Sequence, residues 1–194
     1  SSDLNWKPAA ATSRATGTGS LVEIDVTWDA IFDNAMLGFG FYRADGGGSM
    51  RDIYFLRDPL AELFADTDEV LRVGTNYTYR VSTISTNGSE STLSAAGNAT
   101  PLGGMTVNAT TGNTVPQFHW NFATGANSYI VYLFDQYPSV GVTPIWSNES
   151  SPTAGNALNF SGGSLSSGDY YYMVVGVSNA GSYTISPVSK HTVL

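Results

Sequence analysis

His119 and His191 are the only imidazoles in the chain, and they lie far apart in sequence. A catalytic or metal-bound imidazole needs a nucleophile motif or ligand spacing beside it, and neither histidine has one. Each is expected to be an ordinary surface or edge residue. Gly46-Gly47-Gly48-Ser49 is neither a nucleophile elbow nor a phosphate-binding loop, because no glycine flanks the serine suitably and no Gly-Lys-Ser/Thr follows. It reads as a flexible hairpin tip. Asp66-Thr67-Asp68-Glu69 is the densest acidic run. Asp66, Asp68 and Glu69 could offer hard oxygen ligands to calcium, but the spacing of an EF-hand loop is missing. The alternative is a solvated turn in which Asp66 accepts local backbone amides. Glu23, Asp25 and Asp29 alternate with apolar residues and are expected to keep one sheet face wet. Glycoside hydrolysis needs two carboxylates across a sugar cleft, and no cleft is implied. With no cysteine, disulfides, thiolate nucleophiles and thiolate metal sites are excluded. No catalytic residue, metal or cofactor is expected.

The elements that would position any site are strands. Val22-Glu23-Ile24-Asp25-Val26-Thr27-Trp28 alternates with period two and places Val22, Ile24, Val26 and Trp28 on one face. Runs at 77–84, 129–134 and 170–177 are rich in β-branched and aromatic residues, and glycine or asparagine clusters such as Asn87-Gly88 separate them. Asp58-Pro59 could cap a short helix. The preferred reading there is a turn followed by a short strand ending near Ala65. The class is all-β.

A repeat of about ninety residues runs through the chain. Trp28 precedes Phe39-Gly40-Phe41-Tyr42-Arg43, as Trp120 precedes Tyr129-Ile130-Val131-Tyr132-Leu133. Leu71-Arg72-Val73-Gly74-Thr75-Asn76-Tyr77 parallels Leu165-Ser166-Ser167-Gly168-Asp169-Tyr170. Each is followed by a strand, an Asn/Gly turn and a last strand, Ser91–Ser94 in one copy and Thr184–Pro187 in the other. A Pro/Gly junction at Thr100-Pro101-Leu102-Gly103-Gly104 joins them. The expected domains are 1–101, with an N-terminal extension, and 102–194.

These stations resemble the fibronectin type III family: a tryptophan in the second strand, a tyrosine in the third, and a Leu–Gly–Tyr approach to the sixth. The resemblance implies two tandem immunoglobulin-like β-sandwiches. It implies that Tyr77 and Tyr170 form tyrosine corners bonded to the preceding loop, and that Trp28 and Trp120 lie between the sheets. Trp28, Tyr42, Val81, Trp120, Tyr132 and Val174 are the expected core. The segment from Gly46 to Asp68 is longer than a minimal domain needs, and Tyr137 through Trp146 reads as an extended hairpin loop.

Of 194 residues, only 12% are charged, and the net charge is −8. That balance disfavours nucleic acid and anionic membrane surfaces, both of which select basic faces. No apolar run reaches the roughly 18–20 residues of a membrane span. The second half is nearly uncharged, which suits glycan contact or packing on a protein partner. Tyr137 and Trp146 are the residues expected to touch a ligand there, with Trp146 covering a sandwich edge as the alternative. Low charge, many Ser, Thr, Asn and Gly, and two lysines suggest a secreted or cell-envelope protein. The Ser1-Ser2 start resembles the residues after the acylated cysteine of a bacterial lipoprotein, which leaves room for a lipid anchor. Acceptor triplets for N-glycosylation occur at Asn76, Asn87, Asn98, Asn108, Asn148 and Asn159. The expected function is a non-catalytic structural or interaction module, an accessory subunit or spacer in a surface layer, filament or adhesin. A carbohydrate-binding module and the accessory domains of a secreted hydrolase are the alternatives.

Overall fold

The computed structural model describes residues 10–16, 22–31, 33–150 and 155–194. The Ser1-Ser2 start lies outside them. The described residues form strands and turns without helix, as β-branched and aromatic runs broken by glycine dictate. They divide into two compact units, one holding residues 10–13 and 23–101, the other 14–16, 22 and 102–194.

The first unit contains β2 (Val22–Thr27) apart from its first residue, β3 (Met36–Asp45), β4 (Arg51–Leu56), β5 (Leu63–Asp66), β6 (Tyr77–Ser85) and β7 (Gly97–Ala99). One sheet runs in the order β4-β3-β6-β7, while β2 pairs antiparallel with β5. The short strand expected after the Asp58 turn, ending near Ala65, is β5. The Asp58 carboxylate accepts the Leu60 amide at 2.9 Å, which makes a turn rather than a helix cap. At the β3–β4 hairpin tip Gly46 and Gly47 have φ of 59° and 83°, a region that disfavours side chains. Ile24, Val26 and Trp28 face inward as their alternation requires. The indole of Trp28 lies 4.9 Å from the Phe39 ring and 5.2 Å from Phe41, so aromatic packing joins β2 to β3.

Tyr42 is not in this core. Phe39, Phe41 and Arg43 take the inward positions of β3, so period two turns Tyr42 outward. There its hydroxyl donates to Glu90 at 2.5 Å. That bond first, and then burial, push the phenol up to about 12. The Ser82 and Tyr42 hydroxyls in turn hold the Glu90 carboxyl below its ordinary value.

Gly38 sits beside the end of β4, next to the Phe39–Leu56 pair. A Cβ there would fall 2.0 Å from the Leu56 carbonyl oxygen, a backbone atom that cannot swing aside. Gly38→Ala is therefore expected to lose about 1–3 kcal/mol as the hairpin shifts to relieve the clash. A denaturant melt matching the parent protein would refute this close approach.

The second unit contains β8 (Val107–Thr111), β9 (Gln117–Trp120), β10 (Ser128–Phe134), β11 (Trp146–Ser150), β12 (Ala157–Asn159), β13 (Gly168–Val177), β14 (Tyr183–Ile185) and β15 (Ser189–Val193). One sheet has the order β12-β9-β8; in the other, β10 lies between β11 and β13, and β13 also pairs with β14 and β15. Arg14–Thr16 of β1 (Ala10–Thr16) runs parallel to β14. Phe118, Trp120, Tyr129, Val131, Tyr172 and Val174 fill the space between the sheets. Tyr132 was expected among them but lies half-buried on the opposite face, because Val131 and Leu133 point inward.

The last strands depart from regular ladders in the same way in both units. In the second, Val174 N–H donates to Ser186 Oγ at 2.9 Å, and Ser186 Oγ donates to the Pro187 carbonyl at 3.0 Å. In the first, Val81 N–H donates to Ser94 Oγ at 3.0 Å, and Ser94 Oγ donates to the Ala95 carbonyl at 2.8 Å. The stretch Ser91–Ser94, expected as a strand, is not one. Serine hydroxyls there satisfy β6 amides that a ladder would otherwise pair, Thr83 N–H meeting Ser91 Oγ at 2.9 Å.

Candidate functional site

The acidic run at Asp66 is not a solvated turn. The pairing of Ile24 with Asp66 points this carboxylate inward at the end of β5, where Arg43 of β3 is 0% exposed. Arg43 Nη1 donates to Asp66 Oδ2 at 2.6 Å, and the Tyr79 hydroxyl donates to the same oxygen at 2.7 Å. Arg43 also donates through Nε to Asp45 at 2.8 Å and through Nη2 to Asp68 at 3.1 Å. Its guanidinium carbon lies 5.6 Å from the Tyr77 ring centre, a cation–π distance. Burial opposes the charge of Arg43, but the bonds it donates to Asp66 and Asp45 outweigh it and raise the pKa. Burial, reinforced by the Asp66 carboxylate, pushes the Tyr79 phenol well above its ordinary range. Only the local half of the turn reading holds: Asp66 Oδ1 accepts the Asp68 amide at 3.1 Å. The calcium reading finds Asp66 and Asp68 already bonded to a buried guanidinium, an arrangement that neutralises charge inside the fold. Among the described residues no group of three His, Asp or Glu side chains could hold a metal ion.

His191 overturns the surface expectation. It is buried on β15, with Nδ1 2.8 Å from Thr110 Oγ1 and Nε2 2.8 Å from the Asn113 carbonyl. Both ring nitrogens thus tie the last strand to the β8 region, a structural use that leaves no lone pair for chemistry. His119 is half-buried, with Nε2 3.2 Å from Thr111 Oγ1. The sequence carried no signal for the burial of His191, because its two partners lie 78 and 81 residues away.

Tyr77 takes the corner role that the resemblance implies. Arg72 N–H donates to its hydroxyl at 2.7 Å, and the hydroxyl reaches the Val70 carbonyl at 3.4 Å. The Tyr170 hydroxyl donates to the Ser166 carbonyl at 3.2 Å. Both phenols thus bond back to the loop that leads into their strand.

The two ligand candidates are held differently. Trp146 pairs with Leu133 in the β10–β11 ladder and lies half-buried, its ring 5.8 Å from Phe118 and 5.3 Å from Phe160. Tyr137 is 62% exposed in the β10–β11 loop, and its ring meets Tyr171 edge-on at 5.5 Å. The same loop carries Val140, which is fully exposed, and Ile145. The packing that holds Trp146 is distinct from the Tyr137–Tyr171 pair.

Sequence reasoning missed a groove in the first unit. It lies between β4 and β5, has a volume of about 530 Å³, and is lined by Ile53, Tyr54, Leu56, Leu63 and Phe64, with Asp66–Asp68 at one end. Phe64 stacks on Phe41 of the core at 4.3 Å and on Tyr54 at 5.2 Å, so an aromatic stack leads from the interior to the groove wall. Tyr54 is 50% exposed and Phe55 41%. The signal available in sequence was the apolar run Ile53-Tyr54-Phe55-Leu56 inside the long Gly46–Asp68 segment.

The architecture is that of the fibronectin type III β-sandwich. The FN1-FN3 domains of chicken CNTN1 match it with a TM-score of 0.53 at 14% identity over 96% of the chain. The chain spans 66% of the length of that structure. A Fn3-like protein from Clostridium thermocellum aligns with 47% of the chain and 88% of its own length, at 24% identity and a TM-score of 0.35. No family model and no curated protein sequence matches the chain. Among the described residues no helix is long and apolar enough to cross a membrane.

Proposed function

We propose that the chain is a non-catalytic interaction and spacer module of the extracellular space or cell envelope, two tandem sandwiches over 1–101 and 102–194, serving a surface assembly. The repeated serine bonds at Ser94 and Ser186 and the paired tyrosine corners support the tandem reading. The carrying observation is the β10–β11 loop, which presents Tyr137, Val140 and Ile145 to solvent from a nearly uncharged half. An apolar loop tip costs solubility and is useful when a partner covers it. The partner in this reading is a protein of the same assembly, and Trp146 adds the exposed part of its ring to the contact.

The test is a photo-crosslinking residue at position 140 in the full chain on its native surface, with Tyr137→Ala as control. A discrete adduct that disappears with Tyr137→Ala supports the reading; no adduct, or one indifferent to the substitution, defeats it. The Tyr137–Tyr171 pair also favours a second reading, stacking on a neutral sugar. Glycan-array binding that Tyr137→Ala abolishes would establish it. Trp146→Ala is a poor probe, because its contacts with Phe118 and Phe160 tie it to stability.

A further inference from the structure

In the first unit β4 is an edge strand: β3 lies on one side and, among the described residues, no strand lies on the other. β5 likewise pairs with β2 alone and ends its sheet. Such edges leave backbone N–H and C=O groups open to another strand, and proteins blunt them with bulges, lysines or prolines. Arg51 and Asp52 put charge on the first part of β4, and a bulge at Ile53 ends that protected part, since Tyr42 pairs with Asp52 and Phe41 with Tyr54. Beyond it Tyr54, Phe55 and Leu56 keep regular register, with two half-exposed aromatic rings and no lysine or proline.

We propose that the β4–β5 groove binds an extended polypeptide segment, added as a strand to β4, with apolar side chains at alternate positions and Lys or Arg at its ends. The backbone of such a segment meets the open edge of β4, while every second side chain falls into the groove against Tyr54 and Phe64. Charge selects the ends. Residues 51–69 carry six carboxylates and two guanidiniums, and with Asp66 and Asp68 bonded to Arg43 the carboxylates outside that network are Asp52, Asp58, Glu62 and Glu69. One of those guanidiniums, Arg51, is already bonded to Asp45 at 2.5 Å. Asp68 lines the groove just past β5 and keeps 42% of its side chain exposed beside its bond to Arg43, and Glu62 lies in the β4–β5 connection. A second copy of the chain would bring −8 against −8, which weighs against self-pairing.

The experiment uses the full chain and three blocked nonapeptides of alternating valine and threonine. One carries lysine at both ends, one glutamate, and one lysine ends with a central proline. The lysine peptide should bind and slow amide exchange at Tyr54–Leu56. Affinity should fall by about tenfold or more with glutamate ends and decline as salt rises. The proline peptide, which cannot complete the ladder, should not bind. Tyr54→Lys should abolish binding, and Glu62→Lys in the exposed connection should weaken it without affecting the fold. Absence of binding by the lysine peptide, equal binding of the lysine and glutamate peptides, or protection outside the groove would each overturn the proposal. So would sedimentation showing a dimer that Tyr54→Lys dissolves, which assigns the edge to a second copy. None of these outcomes touches the proposed function, which rests on the β10–β11 loop.

Discussion

Asp66→Ala is expected to destabilise the protein by about 3–5 kcal/mol, the usual loss when one partner of a buried ion pair is removed. Arg43 has no exposed surface, so its charge cannot turn to water without opening the sandwich. Asp45 and Asp68 also contact the guanidinium, but both lie partly in solvent and neither replaces the 2.6 Å bond inside the core. The Tyr79 hydroxyl loses its acceptor in the same step. The combined change Arg43→Leu, Asp66→Leu and Tyr79→Phe removes the three buried members, leaves Asp45 and Asp68 facing solvent, and should cost less than Asp66→Ala alone, since well-packed apolar groups can replace a buried pair. Guanidinium denaturation of both variants measures this. An Asp66→Ala midpoint equal to that of the parent would mean that Arg43 reaches solvent, and the network would lose its structural role.

The same network gives a sign for pH. The Asp68 carboxyl is held below its ordinary 3.8, most by the Val70 amide, against burial, with Arg43 adding. Its folded pKa is depressed, so its contribution is complete above the unfolded value and is lost as pH falls through the folded one. Glu90 shifts in the same direction. Stability should therefore fall on the acid side below about pH 4, and the loss should shrink in a Glu90→Gln variant.

Trp120→Ala should cost about 3–5 kcal/mol, comparable to the Asp66 variant and for the opposite reason. The indole is fully buried, lies 5.5 Å from the Tyr129 ring, and its N–H has no hydrogen-bond partner among the described residues. Its stabilising contribution is therefore apolar area and shape, with no bond to lose. Trp120→Phe restores a ring without the unpaired N–H and should recover most of the loss. Thermal or denaturant melts of the two variants separate these contributions. If Trp120→Ala melts unchanged, the indole is not between the sheets.

The strands and the positions of both tryptophans were legible because burial of one sheet face writes a period-two pattern into local sequence. The corner role of Tyr77 and Tyr170 came from the family resemblance, and it could be carried over residue by residue because the phenol bonds to a loop five residues away in the first unit and four in the second, within the stretch that bears the Leu–Gly–Tyr motif. Tyr42 and Tyr132 were misplaced because aromatic character alone does not say which face a residue takes. Arg43 and Leu133 beside them decided that.

What the sequence by itself determined is the class of fold, the two stations of indole and phenol, and the turn at Asp58, all of which depend on neighbours along the chain. Tertiary structure alone decided that Asp66 is an internal counterion, that His191 is a buried tie, and that β4 and β5 leave a groove open. Each of these depends on side chains or strand edges brought together from separate elements, 23 residues apart for Arg43 and Asp66 and 81 for Thr110 and His191. Pairings across such distances follow from how the sheets pack, and no local pattern of residues encodes them.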